Sequence, residues 1–425
     1  MVTEQVLNLA SEEKTALRDA LGENLRPENA VYRYNYFYNN CTTKARDIIE
    51  QCISGKIEYA EREDFAPSYR DMVHEMTRNN PWSRFGNDLL LGIKEVDIDA
   101  LLPKRHYVFF GHLAKKQAYN RSLLQAMMRR RITFSDYEYM VDEAGARVCA
   151  FGWWAGIVGV YYTLRGYGLQ TGAFSLPEPD RQFTLAQLRR NLRAIELPKV
   201  KLLVTGGGRV ATGARSVLEE IGAEFLPITE YLDWPSVDRL TFTMADADAL
   251  VRPITAGKRF SFAHFKQHPE LYTSNFARFA RATDILVCGH FWSPGEPVYL
   301  RAEDFRAPGF RIRMIGDITC DIMGSIHSTL RASTHAAPYY DYNPVTGLEE
   351  PPFSSENNVT VMAVDTCPNA LPRDTSAYFG ELLCTHVLAP LLRGEPSPVL
   401  DRATILQDGG LTSRFDYLAG FVEDI

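Results

Sequence analysis

Two short apolar patterns each lead to a residue that can transfer a proton. The segment LLLGIKEV, residues 89–96, has the composition of a buried strand and leads to Lys94; YVFFGH, residues 107–112, leads in the same way to His112. Parallel strands in open α/β sheets end along one edge, so both side chains are expected at one cleft. A partly dehydrated lysine and a histidine suit proton transfer in amine chemistry. The same residues also fit a surface lysine with a buried stem and a packed histidine.

A glycine-rich turn follows another strand pattern in VKLLVTGGGRVATGARSVLEEIGA, residues 200–223. Gly206 permits a tight turn, Gly208 lets the backbone approach a pyrophosphate, and the small Ala211 allows close packing of helix on strand. Amides at the start of the helix then receive the phosphates. The pattern predicts a dinucleotide site, with a plain tight turn as the alternative. The cofactor-binding residues predicted here are Gly206, Gly207, Gly208, Arg209, Val210 and Ala211.

The choice of cofactor depends on the end of the next strand. An acidic side chain there would bind the adenosine ribose, whereas an arginine would favour the additional phosphate of NADP. The segment AEFLPITEYLD, residues 223–233, offers Glu224 or Glu230 and no basic cluster, which favours NAD. Either glutamate could equally be a solvated surface charge.

Bulk composition excludes several classes of protein. The 425 residues carry a net charge of −7 without long basic runs, so no nucleic-acid partner is expected. The apolar stretch AFGWWAGIVGVYYTL, residues 150–164, is shorter than the roughly 20 residues of a membrane span and predicts a core helix. The first residues lack the basic-then-apolar order of a signal peptide. The seven cysteines form no CxxC pair or Cys/His cluster, so we expect no metal site and a reducing cytoplasm.

Alternation of strand and helix patterns from Leu89 onward predicts a parallel α/β fold. Residues 1 to about 85 have a different, polar and helical texture. A domain boundary is expected near Pro198, where a proline-containing link and a helix precede a new strand. From about Ser376 the pattern returns to helix.

Several long motifs resemble the lysine-forming saccharopine dehydrogenase family, which is grouped with alanine dehydrogenase and the transhydrogenases. They occur in the family's order over about residues 89–425. They are GIKEV, FFGHLAKKQAYN, DYEYMVDEAGARVCAFGWWAG, DITCDIMGSIHSTLRAST and MAVDTCPNALPRDTSAYFGE.

This resemblance implies an α/β protein with two Rossmann-like domains and a cleft between them. With the mainly helical N-terminal segment, the predicted division is residues 1–88, a substrate domain of residues 89–195 with 376–425, and an NAD-binding domain of residues 196–375. The implied reaction is NAD-dependent oxidative cleavage of saccharopine to lysine and 2-oxoglutarate, or a related amino-acid dehydrogenation. Besides this small substrate and NAD, the sequence predicts no nucleic-acid or membrane partner, and it does not indicate the oligomeric state.

The resemblance also implies roles for individual residues. Lys94 matches the family's catalytic base and His112 its catalytic acid, while Gln117, Arg147 and Phe151 match substrate-binding positions. An arginine suits a carboxylate because its planar fork makes two hydrogen bonds. Three further residues follow predicted strands of the NAD domain. Asp317 and Asp321 match positions near the nicotinamide, with capping of the next turn as the alternative, and His290 is expected to serve local packing.

The first part of the chain resembles a different group. The segments YNYFYNNCTTKARDIIE, residues 34–50, and YRDMVHEMTRNNPWSRFGNDLLLG, residues 69–92, resemble the Lnb-type N-terminal periplasmic domains of bacteria. The chain therefore looks composite. A Cys41-dependent peptidase or amidase, with His74 as a weak partner, is a remote alternative. A second alternative is an NAD-binding protein without catalysis, because the first substrate-domain elements are replaced.

Overall fold

The computed structural model describes residues 8–26, 29, 41–55, 89–92 and 95–423. The chain divides into two compact units, Met1–Asn79 and Asn80–Ile425. Lys94 and His74 lie outside the described residues, and so does the side chain of Cys41. No helix in the described ranges is long and apolar enough to cross a membrane.

The first unit contains two described helices, α1 (Ser11–Asn24) and α2 (Cys41–Cys52). Glu13, in the first turn of α1, accepts hydrogen bonds of 2.7 Å from both the backbone amide and the hydroxyl of Ser54. These bonds favour the ionised carboxylate and lower the pKa of Glu13 to about 2. The helical content agrees with the sequence prediction for this segment.

The second unit contains fifteen described strands and twelve described α-helices. The strands are β1 (Leu89–Leu91), β2 (His106–Phe109), β3 (Thr133–Asp136), β4 (Lys201–Thr205), β5 (Glu224–Phe225), β6 (Thr241–Ala245), β7 (Val251–Pro253), β8 (Tyr272–Ser274), β9 (Ile285–Cys288), β10 (Met314–Asp317), β11 (Tyr339–Tyr342), β12 (Glu349–Glu350), β13 (Val359–Met362), β14 (Thr404–Gln407) and β15 (Gly410–Leu411). The helices are α3 (Arg121–Arg129), α4 (Gly152–Thr171), α5 (Leu185–Ala194), α6 (Arg209–Glu220), α7 (Ile228–Asp233), α8 (Ala247–Leu250), α9 (Phe262–Gln267), α10 (Ala277–Ala280), α11 (Pro372–Leu383), α12 (Ala389–Arg393), α13 (Pro398–Ala403) and α14 (Ala419–Glu423). A π-helical segment, Cys384–Leu388, joins α11 to α12.

The smaller sheet has the order β1-β2-β3-β14-β15. Strands β1, β2 and β3 are parallel, with Leu91 opposite Val108 and Phe109 opposite Asp136. Strand β14 comes from the end of the chain and pairs antiparallel with β3. Apolar residues of this C-terminal part, among them Phe415, share one core with Phe109. The last segment therefore completes the sheet that the earlier strands begin.

The larger sheet has the order β12-β11-β13-β10-β9-β4-β6-β5. Its parallel strands β4, β9, β10 and β13 are buried along their whole length, as continuous apolar runs predict for a sheet covered on both faces. Strands β11 and β12 add an antiparallel edge. Strand β6 lies between β4 and β5, although β5 comes before β6 along the chain.

Helix α4 is the apolar stretch predicted as a core helix, and its glycines allow very close packing on α6. A Cβ added at Gly156 would lie 2.0 Å from the carbonyl oxygen of Val210, and one at Gly213 would lie 2.0 Å from that of Trp153. The helix ends at Gly172, whose φ of 69° is left-handed. The predicted α/β fold class is confirmed, whereas the domain boundaries at 195/196 and 375/376 stay predictions.

Candidate functional site

A cavity of about 800 Å³ lies where the carboxyl ends of β4, β6, β9 and β10 face the loop before α4. Residues from both sheets and their connecting segments line it. From the smaller-sheet side come Phe110, Arg147 and Phe151, and from the larger sheet come the glycine loop and the residues that follow β6, β9 and β10. Open α/β sheets bind ligands at this position.

The glycine loop has three glycines with different surroundings. Gly206 has a φ of +95°, and a Cβ there would lie 2.7 Å from the Cα of His290, so both conformation and space require glycine. A Cβ at Gly207 would lie 2.3 Å from Oδ2 of Asp246. A Cβ at Gly208 would meet no described atom within 4 Å. Gly208 precedes α6 and lines the cavity, so its side of the backbone is open to a ligand.

Arg209 and Val210 also line the cavity, while Ala211 is buried where α6 packs under α4. The Arg209 guanidinium donates to the carbonyl oxygen of Arg147 and thereby links the start of α6 to the loop before α4. Because α6 has 12 residues, its first amides form an N-terminus suited to phosphate.

The acidic residue nearest the glycine loop is Asp246, which sequence reasoning missed. It follows β6, caps α8 through its Oδ1 and lines the cavity. Glu224 begins the edge strand β5 and pairs with Arg239 at 3.7 Å, and Glu230 lies in α7; neither is among the described residues lining the cavity. The next strand along the chain after β4 is β5, and the sequence predicts the ribose-binding acid at its end. The pairing of β4 with β6 instead brings Asp246 to the loop.

Aromatic side chains form another wall of the cavity. Phe262 and Phe291 are 59% and 75% exposed, unusually high for phenyl rings at a cavity. The ammonium of Lys266 lies 5.7 Å and 4.9 Å from their ring centroids and 2.5 Å from Oε1 of buried Glu296. This arrangement offers flat apolar surfaces and a cation to a ligand.

His290 is held between two hydroxyls. Its Nδ1 lies 2.6 Å from Oγ1 of Thr205 and its Nε2 lies 2.7 Å from Oγ of Ser325. Burial lowers the pKa of His290 to about 3, so the ring is neutral near pH 7. The imidazole joins the ends of β4 and β9 to the segment after β10, which agrees with the expected packing role.

The two aspartates predicted near the nicotinamide lie in different surroundings. Asp317 is buried and accepts hydrogen bonds from the amide and hydroxyl of Thr319 and from the hydroxyl of Thr329, and it is not among the described residues lining the cavity. Asp321 is half-buried and lines the cavity together with Thr319. Burial raises the pKa of both carboxyl groups. The contacts of Asp317 are those of a turn cap.

On the smaller-sheet side, the buried carboxylate of Glu138 contacts three polar side chains. Its Oε2 lies 3.2 Å from Nδ1 of His112, and its Oε1 lies 2.9 Å from Nζ of Lys115 and 2.5 Å from the guanidinium of Arg147. The cations of Lys115 and Arg147 lower the pKa of Glu138 against the opposing effect of burial. Sequence reasoning missed Glu138, although it lies inside the quoted motif DYEYMVDEAG.

The loop that carries His112 is fixed by Asp136 at the end of β3. Its Oδ2 accepts the amides of Gly111 and His112 at 3.1 Å each, and its Oδ1 accepts the amide of Glu138 at 2.8 Å. His112 has a left-handed φ of 51°, so these bonds hold an uncommon conformation. Burial raises the pKa of Asp136 to about 6.

The remaining predicted substrate residues divide between cavity and surface. Phe151 lines the cavity and packs against Phe379, with 5.7 Å between ring centroids. Gln117 is exposed and accepts a hydrogen bond of 2.7 Å from the hydroxyl of Tyr119, outside the described lining. Lys94 lies outside the described residues, so its position relative to His112 is a prediction.

The described residues fit a dinucleotide better than a metal. The open face of Gly208, the start of α6 and the carboxylate of Asp246 together provide space, amide donors and a ribose partner. No group of three or more potential metal ligands occurs in the described part of the chain.

Comparison with known proteins confirms the predicted resemblance and the composite chain. Residues 1–79 match the model of the Lnb N-terminal periplasmic domain. The mitochondrial alpha-aminoadipic semialdehyde synthase of Bos taurus is 26% identical over 385 residues, covering 78% of this chain and 40% of that protein. The saccharopine dehydrogenase [NAD(+), L-lysine-forming] of Neurospora crassa is 26% identical over 338 residues, covering 75% and 77%.

A solved structure of L-alanine dehydrogenase matches with a TM-score of 0.50 at 15% identity, covering 99% of this chain and 98% of that one. This likeness supports the fold alone. The chain spans about 40% of the length of the synthases it matches. The cytoplasmic location predicted from cysteine usage gains no support from the match to a periplasmic domain.

Proposed function

We propose that this chain is an NAD-dependent oxidoreductase that cleaves saccharopine oxidatively to lysine and 2-oxoglutarate. The observation that carries the proposal is the single cavity shared by the glycine loop and by Arg147 and Phe151. A cofactor at the loop and an amino acid at Arg147 would therefore meet in one space. Similarity to proteins named as NAD-dependent, lysine-forming saccharopine dehydrogenases supports this choice of reaction.

On the cofactor side, the chain's role is to hold and orient NAD. When bound, NAD supplies the hydride acceptor for the carbon that bears the nitrogen. The amides at the start of α6 and the open backbone at Gly208 would hold the pyrophosphate. Asp246 would accept a hydrogen bond from the adenosine ribose and repel the 2′-phosphate of NADP, which favours NAD. Phe262 and Phe291 would stack on the adenine, since both exposed rings line the same cavity as the glycine loop.

On the substrate side, Arg147 would bind a carboxylate of the amino acid. Its side chain is 51% exposed, and its contact with Glu138 fixes the guanidinium while leaving other donors available. His112, oriented through Nδ1 by Glu138, would pass protons as an imine forms and water adds. Lys94 keeps the role of base that its motif position implies.

The first experiment measures NADH formation by the full chain at 340 nm with saccharopine and, separately, with alanine. Turnover with saccharopine and little with alanine would support the proposal. Turnover with alanine alone would keep the oxidoreductase and replace the substrate. Silence with both would remove the proposed reaction.

A second experiment concerns the proton path. General acid or base catalysis contributes roughly 100-fold to 10,000-fold, so His112→Gln and Lys94→Met should each lower kcat on that scale while NAD affinity stays nearly unchanged. If both residues serve one path, the double variant should be little worse than the poorer single variant. Full turnover in both single variants would assign the protons to other groups.

A second candidate function is NAD binding without catalysis. The match of residues 1–79 to a different domain favours it, because the first substrate-domain elements would then be replaced. Calorimetry with NADH separates the two candidates: tight binding with no turnover on any amino acid tested supports the binder. Gly208→Val should abolish NADH binding under either candidate, since the new side chain enters the open face of the loop, where an added Cβ meets no described atom within 4 Å. Unchanged binding in that variant would overturn the cofactor assignment.

A further inference from the structure

A second cavity, of about 320 Å³, lies in the segment between β7 and β8. The polar side chains that line it are those of Thr255, Lys258, Arg259, Ser261, His264 and Tyr272. They comprise two cations, three hydroxyls and an imidazole, and no carboxylate occurs in the described lining. In a chain with a net charge of −7, such a set of donors is a local departure from the average surface.

The two cations that line this cavity form no ion pairs in the described part of the chain. Neither Lys258 nor Arg259 makes an ion pair with any described acidic residue, although many other arginines of the chain do. On one wall, the hydroxyl of buried Tyr272 lies 3.0 Å from Nδ1 of His264, and this contact holds the imidazole ring in place. The other ring nitrogen, Nε2, has no described protein partner.

The size of the cavity limits its ligand. A volume of about 320 Å³ is at the small end of ligand pockets and is less than half of the main cavity. It suits a compact anion rather than a dinucleotide. Among compact anions, a phosphate group uses best the combination of guanidinium, ammonium and hydroxyl donors.

We infer that this cavity binds the phosphate group of a small molecule, a function beyond the proposed oxidoreductase activity. The ligand is either free phosphate or a small phosphate ester. Lys258 and Arg259 neutralise its charge, and Thr255 and Ser261 donate hydroxyl hydrogen bonds.

The same segment connects this cavity to the main one. Helix α9 contributes Phe262, Phe265 and Lys266 to the main cavity, while His264 of the same helix and the adjacent Ser261 line the second cavity. Phosphate that immobilises this short helix also fixes the aromatic wall against which we place the adenine. Phosphate therefore strengthens NADH binding, and NADH strengthens phosphate binding by the same factor. This linkage, unlike the phosphate site itself, rests on the proposed NAD site.

The test uses calorimetry and thermal unfolding of the full chain with inorganic phosphate and with glycerol 3-phosphate, against sodium chloride of equal ionic strength. Phosphate should raise the unfolding temperature beyond the chloride control. The double variant Lys258→Ala/Arg259→Ala should weaken phosphate binding roughly tenfold or more, because each lost bond to a charged group is worth that factor. The matched control is Arg252→Ala, which removes an exposed cation of the adjacent strand β7, outside the described lining.

The outcomes separate the possibilities. Tighter binding of glycerol 3-phosphate than of phosphate identifies an ester as the ligand, and the reverse identifies the free ion. An equal loss in Arg252→Ala, or no phosphate-specific shift in the unaltered chain, overturns the site. Phosphate binding that is lost in the double variant but leaves NADH affinity unchanged keeps the site and removes the linkage. If NADH does not bind at all, the proposed function fails while the phosphate measurements still decide the site.

Discussion

At the scale of single residues, Glu138 links three polar side chains on the smaller-sheet side of the candidate site. It is 6% exposed and contacts His112, Lys115 and Arg147 at once. A buried carboxylate needs such partners, because an unpaired buried charge is very costly. The same contacts hold the imidazole of His112 and the guanidinium of Arg147 in place.

Glu138→Gln tests this positioning role. The amide keeps the shape but loses the charge, so we expect kcat/KM to fall roughly tenfold to a hundredfold, the value of one or two hydrogen bonds to a charged group. KM for the amino acid should rise because Arg147 is less well fixed, whereas NADH affinity should stay unchanged. Glu143→Gln, at an exposed position nearby, is the matched control. Equal losses in both variants would contradict the role of Glu138.

His106 gives a prediction about pH and stability. Burial lowers its pKa from 6.5 to about 4, and its Nε2 lies 2.9 Å from Oγ of Ser135, which in turn bonds Thr404 of β14. The unfolded chain therefore takes up a proton before the folded chain does. The stability tied to the neutral ring is present above pH 6.5 and is lost as the pH falls toward 4, at up to about 1.4 kcal/mol per pH unit.

The measurement compares the unaltered chain with His106→Gln in urea unfolding at pH 7 and pH 5. The free-energy difference between the two proteins should shrink or reverse at pH 5. The raised pKa of Asp136, about 6, has the opposite sign: its contribution is present at low pH and is lost as the pH rises through 6. The comparison with the variant is therefore needed, since the two groups partly cancel in the unaltered chain. A difference that does not depend on pH would show that His106 is not neutralised by burial.

At the scale of elements, the contact between α4 and α6 determines where the glycine loop lies. At Gly156 and Gly213 the backbones of α4 and α6 pack closely against each other, because neither glycine has a side chain that would separate the helices. The start of α6 is thereby held beside the loop that bears Arg147 and Phe151. The apolar sequence of α4 predicts a core helix, whereas the use of its glycines in this contact depends on the neighbouring helix.

Gly156→Ala should destabilise the fold. The new Cβ would lie 2.0 Å from the carbonyl oxygen of Val210, so the helices must separate, at a cost of about 1–3 kcal/mol typical of overpacking. The matched control is Gly380→Ala in α11, where no described atom lies within 4 Å and alanine is the better helix former by about 1 kcal/mol. Thermal unfolding should show opposite shifts for the two variants. A neutral Gly156→Ala would mean that the helices have room to adjust.

At the scale of the whole described Asn80–Ile425 unit, the candidate site depends on groups brought from both sheets. The Arg209 guanidinium, at the start of α6, donates to the backbone of Arg147, on the smaller-sheet side. Strand β14 of the chain end completes the sheet that holds His112 and Asp136. Binding of cofactor and of amino acid should therefore be linked through this contact.

Arg209→Ala tests that linkage. Loss of the contact should raise KM for both NAD and the amino acid, each by roughly tenfold, because one hydrogen bond from a charged donor orients both walls. The matched control is Arg215→Ala in the same helix, where the guanidinium pairs with Glu219 on the surface. Steady-state kinetics with each substrate varied in turn provide the measurement. A rise in only one KM would confine Arg209 to that substrate's binding.

The sequence by itself determined the class of the fold and the identity of the glycine loop. Continuous apolar strands and amphipathic helices alternate in the sequence. Both patterns follow from burial, because an α/β sheet covers its strands on both faces and one side of each helix. The role of Gly206 could be predicted because a tight turn with a left-handed φ favours glycine. The resemblance of the chain to two different groups, one before and one after about residue 89, could also be recognised from the sequence, since each resemblance rests on local motifs.

Only the tertiary structure decided which polar residues meet. Strand β6, not β5, pairs with β4, so Asp246 reaches the glycine loop while Glu224 remains at the sheet edge. Asp317 and Asp321 look equivalent in the sequence, yet one carboxylate is enclosed by threonine donors and the other lines the cavity. Strand order and side-chain direction arise from packing between segments distant along the chain. Local sequence patterns therefore do not predict that packing.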